Sequence, residues 1–262
     1  MMKKLTLSCI GWMALSGWAA AQDKKQQPIV INDPEWPPYF FAGEPDHPPG
    51  LVKELFTQCL NQLQIPFEFK AQPIERMQVG MEQGTLDINV FSYKKEREKI
   101  MQFGKEVVLT SRYVPIVRAD SNLTFKNISD FDGHRLGHTI GLRYSKEFYD
   151  YILKRKAAQN LDESSREEFN IRKLVANRID VFVSTDSTIL YIAKRIGLKD
   201  KIKLLDHNIQ KADYFIAVSK KSPRIPDRTA FIEKLEGCIQ GLRKSGEICA
   251  LYQKYEQPCI TK

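Results

Sequence analysis

The stretch Asn32-Asp33-Pro34-Glu35-Trp36-Pro37-Pro38-Tyr39-Phe40-Phe41 gathers four aromatic rings around the Pro37-Pro38 pair, directly after the apolar run 28–31. Proline fixes its own backbone angle and restricts the residue before it. A central strand cannot continue through this stretch, and a helix does not easily start in it. Rings displayed this way do one of two jobs: they plug the edge of a core, or they stack on a bound molecule. A second candidate for chemistry is Arg97, in the run Lys94-Lys95-Glu96-Arg97-Glu98-Lys99. A guanidinium offers a fork matched to a carboxylate, and a closed, dry cleft strengthens that pair. Against this, most mixed-charge runs are solvated faces.

Catalysis has few candidates. There is no Gly-x-Ser-x-Gly, no His-Glu-x-x-His and no Walker loop. The four histidines are scattered, and His134 and His138 fall in an expected strand, where a spacing of four makes no metal site by itself. The formal net charge is +8, with acids and bases interspersed and no basic block. This argues against nucleic acid as a partner and is compatible with acidic partners or an anionic membrane face.

Residues 1–21 read as a signal peptide. Lys3 and Lys4 precede an apolar stretch from Leu5 to Trp18, and Ala19-Ala20-Ala21 supplies a cleavage site before Gln22. The stretch is short for a membrane span, and Thr6-Leu7-Ser8 before Cys9 makes a poor lipidation signal. The expected product is an exported, periplasmic protein. It keeps Cys59, Cys238, Cys249 and Cys259. An even count in an oxidising compartment suggests disulfides, with three full pairings open, and buried free thiols as the alternative.

The elements that would position these residues follow from periodicity. Ile29 to Asn32 reads as a strand. After Gly50, the residues Leu51, Val52, Leu55, Phe56, Cys59, Leu60 and Leu63 share one helix face. Residues 66–70 form a strand, 74–83 a helix stopped by Gly84, and 86–91 a buried strand. This is β-α-β-α-β, half of an open parallel sheet. The pattern then recurs. Residues 135–140 form a strand, and Ser145 caps a helix to about Lys156. Ser165 with Glu168 suggests a capping box for a helix to about Asn177. Residues 180–184 form a strand, 189–196 a helix and 201–205 a strand. Tyr113 to Val117 leads out of the first half, Tyr214 to Val218 returns, and helices at about 227–244 and 247–256 close the chain. The segments Leu86-Asp87 and Ile179-Asp180 echo each other, each opening an apolar strand that ends in a polar loop. Ligands of parallel sheets bind outside the carboxyl ends of the strands. Two facing halves would therefore aim both polar loops, and the aromatic loop, into one cleft.

With these markers in order, the chain resembles the periplasmic solute-binding proteins of the amino-acid type, the two-lobed receptors that feed ABC importers. The markers are Trp36-Pro37-Pro38-Tyr39, Gly50-Leu51, Gly84-Thr85-Leu86-Asp87, Glu96-Arg97-Glu98-Lys99, Asp132-Gly133, Ile179-Asp180-Val181 and Leu242-Arg243-Lys244-Ser245-Gly246. The resemblance implies an α/β, two-lobed type II periplasmic-binding fold, each lobe a mainly parallel open sheet flanked by helices. Lobe one would be 27–113 and 219–262, and lobe two 118–213. The hinge segments would be 114–118 and 214–218.

The resemblance also implies roles. Arg97 would clamp a ligand carboxylate, with Ser92 adding a hydroxyl. Trp36 would stack on the ligand and Asp33 would give a polar contact nearby. Thr185 stands where relatives place an aspartate for the ligand ammonium, and Asp186 follows one step later. Asp186 is equally well suited to capping the next helix. Gly141 keeps a turn at a helix start, while Arg143 and Tyr144 replace small residues there and would narrow the cleft or meet a second anion. Arg76 would point inward from the second helix. Tyr39 and Phe40 belong to lobe packing. Binding needs no cofactor and no metal. The expected partners are a small amino acid or carboxylate and a membrane permease, with a monomeric chain. Two other roles fit the fold: a sensor subunit for a membrane receptor, or a cyclohexadienyl-dehydratase-like enzyme using Glu35 or Asp186 as acid.

Overall fold

The computed structural model describes residues 27–42, 48–72, 74–257 and 259; the expected signal peptide lies outside them. The first half runs β1 (Ile29–Asp33), α1 (Leu51–Gln62), β2 (Phe67–Ala71), α2 (Ile74–Gln83) and β3 (Ile88–Ser92). Strands β2 and β3 flank β1, both parallel to it. An 18-residue strand, β4 (Met101–Arg118), then leaves this half. The second half holds β5 (Leu136–Thr139), α3 (Lys146–Ala157), β6 (Asp162–Ser164), α4 (Glu167–Val175), β7 (Val181–Thr185), α5 (Asp186–Arg195) and β8 (Ile202–Leu204). Here β6 and β7 flank β5, again in parallel. The long strand β9 (Gln210–Ser219) returns, and α6 (Arg228–Ser245) and α7 (Glu247–Lys254) pack on the first half. The strand order is β2-β1-β3-β9-β4-β7-β5-β6, with β8 on β4.

Alternation along the strands explains why both faces of each half are covered. In β1, Ile29 and Ile31 enter one core with α1 and α6, while Val30 faces Met81 and Leu86 on the other side. In β7, Val181 and Val183 join Phe131, Phe148 and Ile152, while Phe182 joins Ile171, Leu174 and Ile189.

The two echoed aspartates do the same job in the two halves. Asp87 accepts the Val30 N–H at 2.7 Å, and its own N–H is bonded to the Val30 carbonyl at 2.8 Å. Asp180 accepts the Arg135 N–H at 2.8 Å, and its own N–H is bonded to the Arg135 carbonyl at 2.8 Å. Each locks the start of one strand against its parallel neighbour and so sets where both carboxyl ends fall. Asp87 is fully buried and also takes Ser222 Oγ at 2.6 Å and Arg224 Nη1 at 3.1 Å.

Two expectations change. Both strand crossings fall a few residues before the expected hinge segments 114–118 and 214–218. Tyr214–Val218 pair with β3 and lie inside the first half's sheet, while Tyr113–Ile116 already pair with β7. The strands therefore cross between halves at about 109–113 and 210–213, where β4 and β9 pair with each other. That crossing is rich in polar residues, with Thr110 Oγ1 donating to Asp213 at 2.6 Å, so hydrophobic pattern does not mark it. The Ser165–Glu168 capping box is also absent: Arg166 holds the N-cap position of α4 without a side-chain bond, and Glu168 instead pairs with Arg172 one turn on. Ser145 does cap α3, accepting from Phe148 N.

The cysteines pair as Cys59–Cys238 and Cys249–Cys259. The first joins α1 to α6 across a sequence separation of 179, the second spans only 10. Cross-linking restricts the unfolded chain more as the loop lengthens. Replacing Cys59 and Cys238 by Ala is expected to cost on the order of 4–5 kcal/mol in urea unfolding, and replacing Cys249 and Cys259 about 2–3 kcal/mol. An equal or reversed order would refute the loop-length account.

Candidate ligand-binding site

The aromatic loop is built by the start of α1. Leu51 N–H donates to the Pro38 carbonyl at 3.0 Å and Val52 N–H to the Tyr39 carbonyl at 3.0 Å. Gly50 makes this approach possible: its φ is +106°, and a Cβ there would stand 2.4 Å from the Tyr39 carbonyl oxygen. The loop closes on itself through Tyr39 and Phe40 N–H groups bonded to the Trp36 carbonyl. Tyr39, Phe40 and Phe41 are buried in the first half's core. Trp36 alone keeps partial exposure, edge-on to Tyr39 at 5.1 Å and tilted against Tyr214 at 4.9 Å. The loop therefore does both jobs, with three rings in the core and one at the surface beside the returning strand.

Arg97 sits in a short helical turn after β3 (residues 95–99). Its Nη1 donates to the Ser92 carbonyl at 2.7 Å and to Ser92 Oγ at 3.0 Å, and its guanidinium lies over the Phe91 ring at 4.7 Å. Burial, followed by repulsion from Arg143, lowers its proton affinity, while Tyr214, Glu96 and Tyr113 nearby partly restore it. Among the described residues no carboxylate is salt-bridged to it. The group is thus held by neutral oxygens and a ring, with charge to spare. Tyr113 and Tyr214, four register positions apart on the paired strands β4 and β9, share a hydroxyl hydrogen bond beside it.

The second half contributes the ends of β5 and β7. Gly141 takes φ +90° in the turn where Leu142 N–H meets the Thr139 carbonyl at 3.1 Å. Arg143 follows, exposed, over the Tyr149 ring at 5.3 Å. It stands close enough to depress both Arg97 and Lys94. Thr185 is buried at the end of β7, in register with Tyr113.

Four expected site residues are placed otherwise. Tyr144 is fully buried in the second half's core, its hydroxyl donating to the Val183 carbonyl at 3.2 Å and meeting His138 Nδ1 at 3.0 Å. It is a core residue, because a ring of that size at the helix entry fills the space beside Tyr113 and Phe148. Asp33 is bound to Lys53 Nζ at 2.6 Å, and burial pushes its carboxyl up despite that lysine. Asp186 neither caps α5 nor stands free. It is the first residue of that helix, receives Arg112 Nε at 2.8 Å and accepts the Ser187 N–H. Arg76 is exposed on α2 and joins none of these contacts.

One residue that the sequence did not single out lies at the carboxyl ends of β5 and β7. Glu167, at the start of α4, receives Ser184 Oγ at 2.5 Å and Thr139 Oγ1 at 3.2 Å. The residue keeps partial exposure, but its carboxyl group is enclosed. Desolvation pushes its pKa up to about 7, against the two hydroxyl donors, and its charge is felt at Tyr113 and Tyr144. Nothing in the spacing separates it from the neighbouring Glu168.

Two cavities adjoin the crossing strands. One of about 410 Å³ is lined by Ser92, Lys94, Gln210 and Lys211. The other, about 500 Å³, lies between α5 and α7 and is lined by Tyr39, Arg112, Asp186 and Tyr255. Neither is lined by Arg97 or Trp36, so volume and chemistry point to different places. The Arg97 cluster stands after the carboxyl end of β3, where ligands of parallel sheets bind. Among the described residues no group of three His, Cys, Asp or Glu side chains is placed to hold a metal, and no helix is long and apolar enough to cross a membrane.

Comparison with known proteins matches this architecture. An amino-acid-binding protein of Dichelobacter nodosus, AabA, is 22% identical over 231 residues, 87% of each chain. A histidine kinase sensor domain similar to periplasmic binding proteins superposes with a TM-score of 0.70 at 20% identity, covering 89% of this chain and 99% of that one. An ancestral arginine-binding protein bound to arginine gives 0.69 at 19% identity, over 87% and 97% of the two chains. The family model for bacterial extracellular solute-binding proteins, family 3, matches residues 29–258. The chain belongs to that family.

Proposed function

We propose that the protein binds a small amino acid or related carboxylate between its two halves, in the periplasm, and presents it to a membrane ABC permease. The observation that carries this reading is Arg97: a guanidinium partly removed from water, aimed by Ser92 and Phe91, and salt-bridged to no carboxylate among the described residues. Removing such a charge from water is costly unless an anion meets it, and a ligand carboxylate supplies one. Trp36 and Tyr214 form an aromatic wall beside it. Glu167 is the acid of the second half nearest in role to the aspartate that relatives carry, since Asp186 is committed to Arg112. A ligand ammonium beside Glu167 would favour its charged form. The name of the Dichelobacter relative supports the solute class. Non-catalytic binding is also the simpler role: Glu35 accepts the Ala42 N–H and Asp186 is paired, so both acids proposed as proton donors are engaged. The chain acts without a cofactor and as a monomer.

The first test is a thermal-shift screen of ligand-stripped protein with amino acids and carboxylates. A ligand at 100-fold excess over its dissociation constant stabilises by about 2.7 kcal/mol. Arg97→Ala is expected to abolish the shift; a shift that survives intact removes Arg97 from the site. Trp36 is the only tryptophan after residue 18, so its emission reports the cleft directly. Saturating ligand is expected to change that emission in the parent protein and not in Arg97→Ala.

Glu167 makes a separate prediction. Its folded pKa, about 7, exceeds the ordinary value of 4.5, so between these values the folded state holds the extra proton. Its contribution to stability is then most favourable below about pH 4.5 and declines as pH rises through 7. Glu167→Gln is expected to be more stable than the parent at pH 8, by on the order of 2–3 kcal/mol, and no more stable at pH 4.5. A Gln variant destabilised equally at both pH values would show that the carboxylate is not strained by burial.

A further inference from the structure

Away from the crossing strands, one face of α5 meets the first half. Ser187, Tyr191 and Lys194 fall at i, i+4 and i+7, on one stripe of that helix. Each touches the first half: Ser187 Oγ accepts the Tyr39 hydroxyl at 3.1 Å, Tyr191 stands edge-on to Phe41 at 5.2 Å, and Lys194 pairs with Glu256 beyond α7. The first contact is buried, with Tyr39 3% and Ser187 8% exposed; the last is at the surface. The cavity of about 500 Å³ runs along the same stripe, lined by Tyr39, Ser187, Tyr191, Lys194, Tyr255 and Glu256. A contact with a void beside it can break and reform without pulling a packed core apart.

Tyr39 also reaches the other way. Its ring is edge-on to Trp36 at 5.1 Å, its N–H donates to the Trp36 carbonyl at 2.9 Å, and its own carbonyl accepts the Val52 N–H of α1 at 3.0 Å. Its backbone is thus fixed to the first half, while its hydroxyl ends on the second. Ser187 in turn follows Asp186, which Arg112 of β4 holds at 2.8 Å. Burial pushes the Tyr39 phenol up to about 12, so the hydroxyl is a donor at any pH near neutral, and a buried donor needs its acceptor. We propose that Tyr39 is a positioning residue that couples the setting of the Trp36 ring to the angle between the halves, through its hydroxyl bond to Ser187. Coupling of this kind is reciprocal: a molecule stacked on Trp36 biases α5, and the position of α5 biases the ring. The stacking role of Trp36 rests on the cleft reading proposed above; the tie between ring and helix does not.

Acrylamide quenching of tryptophan emission tests it without any ligand, in ligand-stripped protein of residues 22–262, where Trp36 is the only tryptophan. Ser187→Ala, a change in the second half, is expected to raise the quenching constant of Trp36 and shift its emission to the red. Tyr39→Phe, which keeps the ring and removes only the hydroxyl, is expected to do so to the same extent, and the double variant no further than either alone. Ser187→Thr keeps an acceptor, the adjoining cavity has room for its methyl, and it is expected to restore the parent values. Folding of each variant is checked by far-ultraviolet circular dichroism. Quenching unchanged in Ser187→Ala, or single effects that add in the double variant, would make Tyr39 a local packing residue and overturn the coupling while leaving the Arg97 site intact. Conversely, the expected Trp36 response in a protein that binds none of the screened amino acids or carboxylates sustains the coupling and removes the cleft reading.

Discussion

The antiparallel pairing of β4 with β9 is the constraint on which the molecule depends. Each half is a parallel trio flanked by helices, and no strand of one trio pairs with a strand of the other. The halves communicate through two strands that pair with each other from Met101–Ser219 to Tyr113–Gln210, interrupted only by a bulge between Phe103 and Leu109. At that bulge the Lys105 and Glu106 N–H groups turn to the Glu236 carboxylate of α6, so the irregular backbone is anchored to the first half. Beyond it the ladder crosses with polar side chains. Two strands joined this way can bend and twist without breaking their hydrogen bonds, which is what a hinge between two cores needs. The same crossing brings Tyr113 and Tyr214 together at the base of the cleft, beside Arg97.

Charge placement follows from that frame. The two buried cores hold few ionisable groups, and those are satisfied within one half: Asp87 by Val30, Ser222 and Arg224, and Arg155 by the carbonyls of Phe131, His134 and Asn160. Between the halves the described contacts include the buried Tyr39–Ser187 hydrogen bond at 3.1 Å and an edge-on contact of the Phe41 and Tyr191 rings at 5.2 Å, with Lys194 to Glu256 and Arg112 of the crossing strand to Asp186 nearer the surface. The exposed ion pairs among them contribute little, about 0–1 kcal/mol each. The halves are therefore joined by a small packed contact at the aromatic loop as well as by the crossing strands.

Most of the fold was legible because its helices and strands bury regular stripes. Leu51, Val52, Leu55, Phe56, Cys59 and Leu60 are buried as their spacing implies, and the echoed Asp87 and Asp180 open equivalent strands. What escaped lacked a stripe. β6 is three residues, Asp-Glu-Ser, and the crossing strands are polar. The site was legible in part for the same reason. Arg97 and Trp36 carry local signals, a charge-dense turn and a proline-braced ring. Asp186 found its partner Arg112 at a separation of 74 residues, and Glu167 became significant only because Thr139 and Ser184, from two other strands, close around it. The cysteine pairing likewise depends on α6 returning to α1, which no local spacing encodes.

A site shared by two halves imposes a condition on its ligand. A molecule that touches only one half binds the open and closed forms equally and shifts no population, however tightly it is held. Closure must come from contacts available only when both halves are present. Arg97 and Trp36 belong to the first half and cannot provide it alone. The second half offers three polar features at its carboxyl ends: the Gly141 turn with Arg143, the end of β7 at Thr185, and the enclosed Glu167. Two of these carry charge of opposite sign, so the ligand that closes the cleft is read by the order in which its own charges meet them.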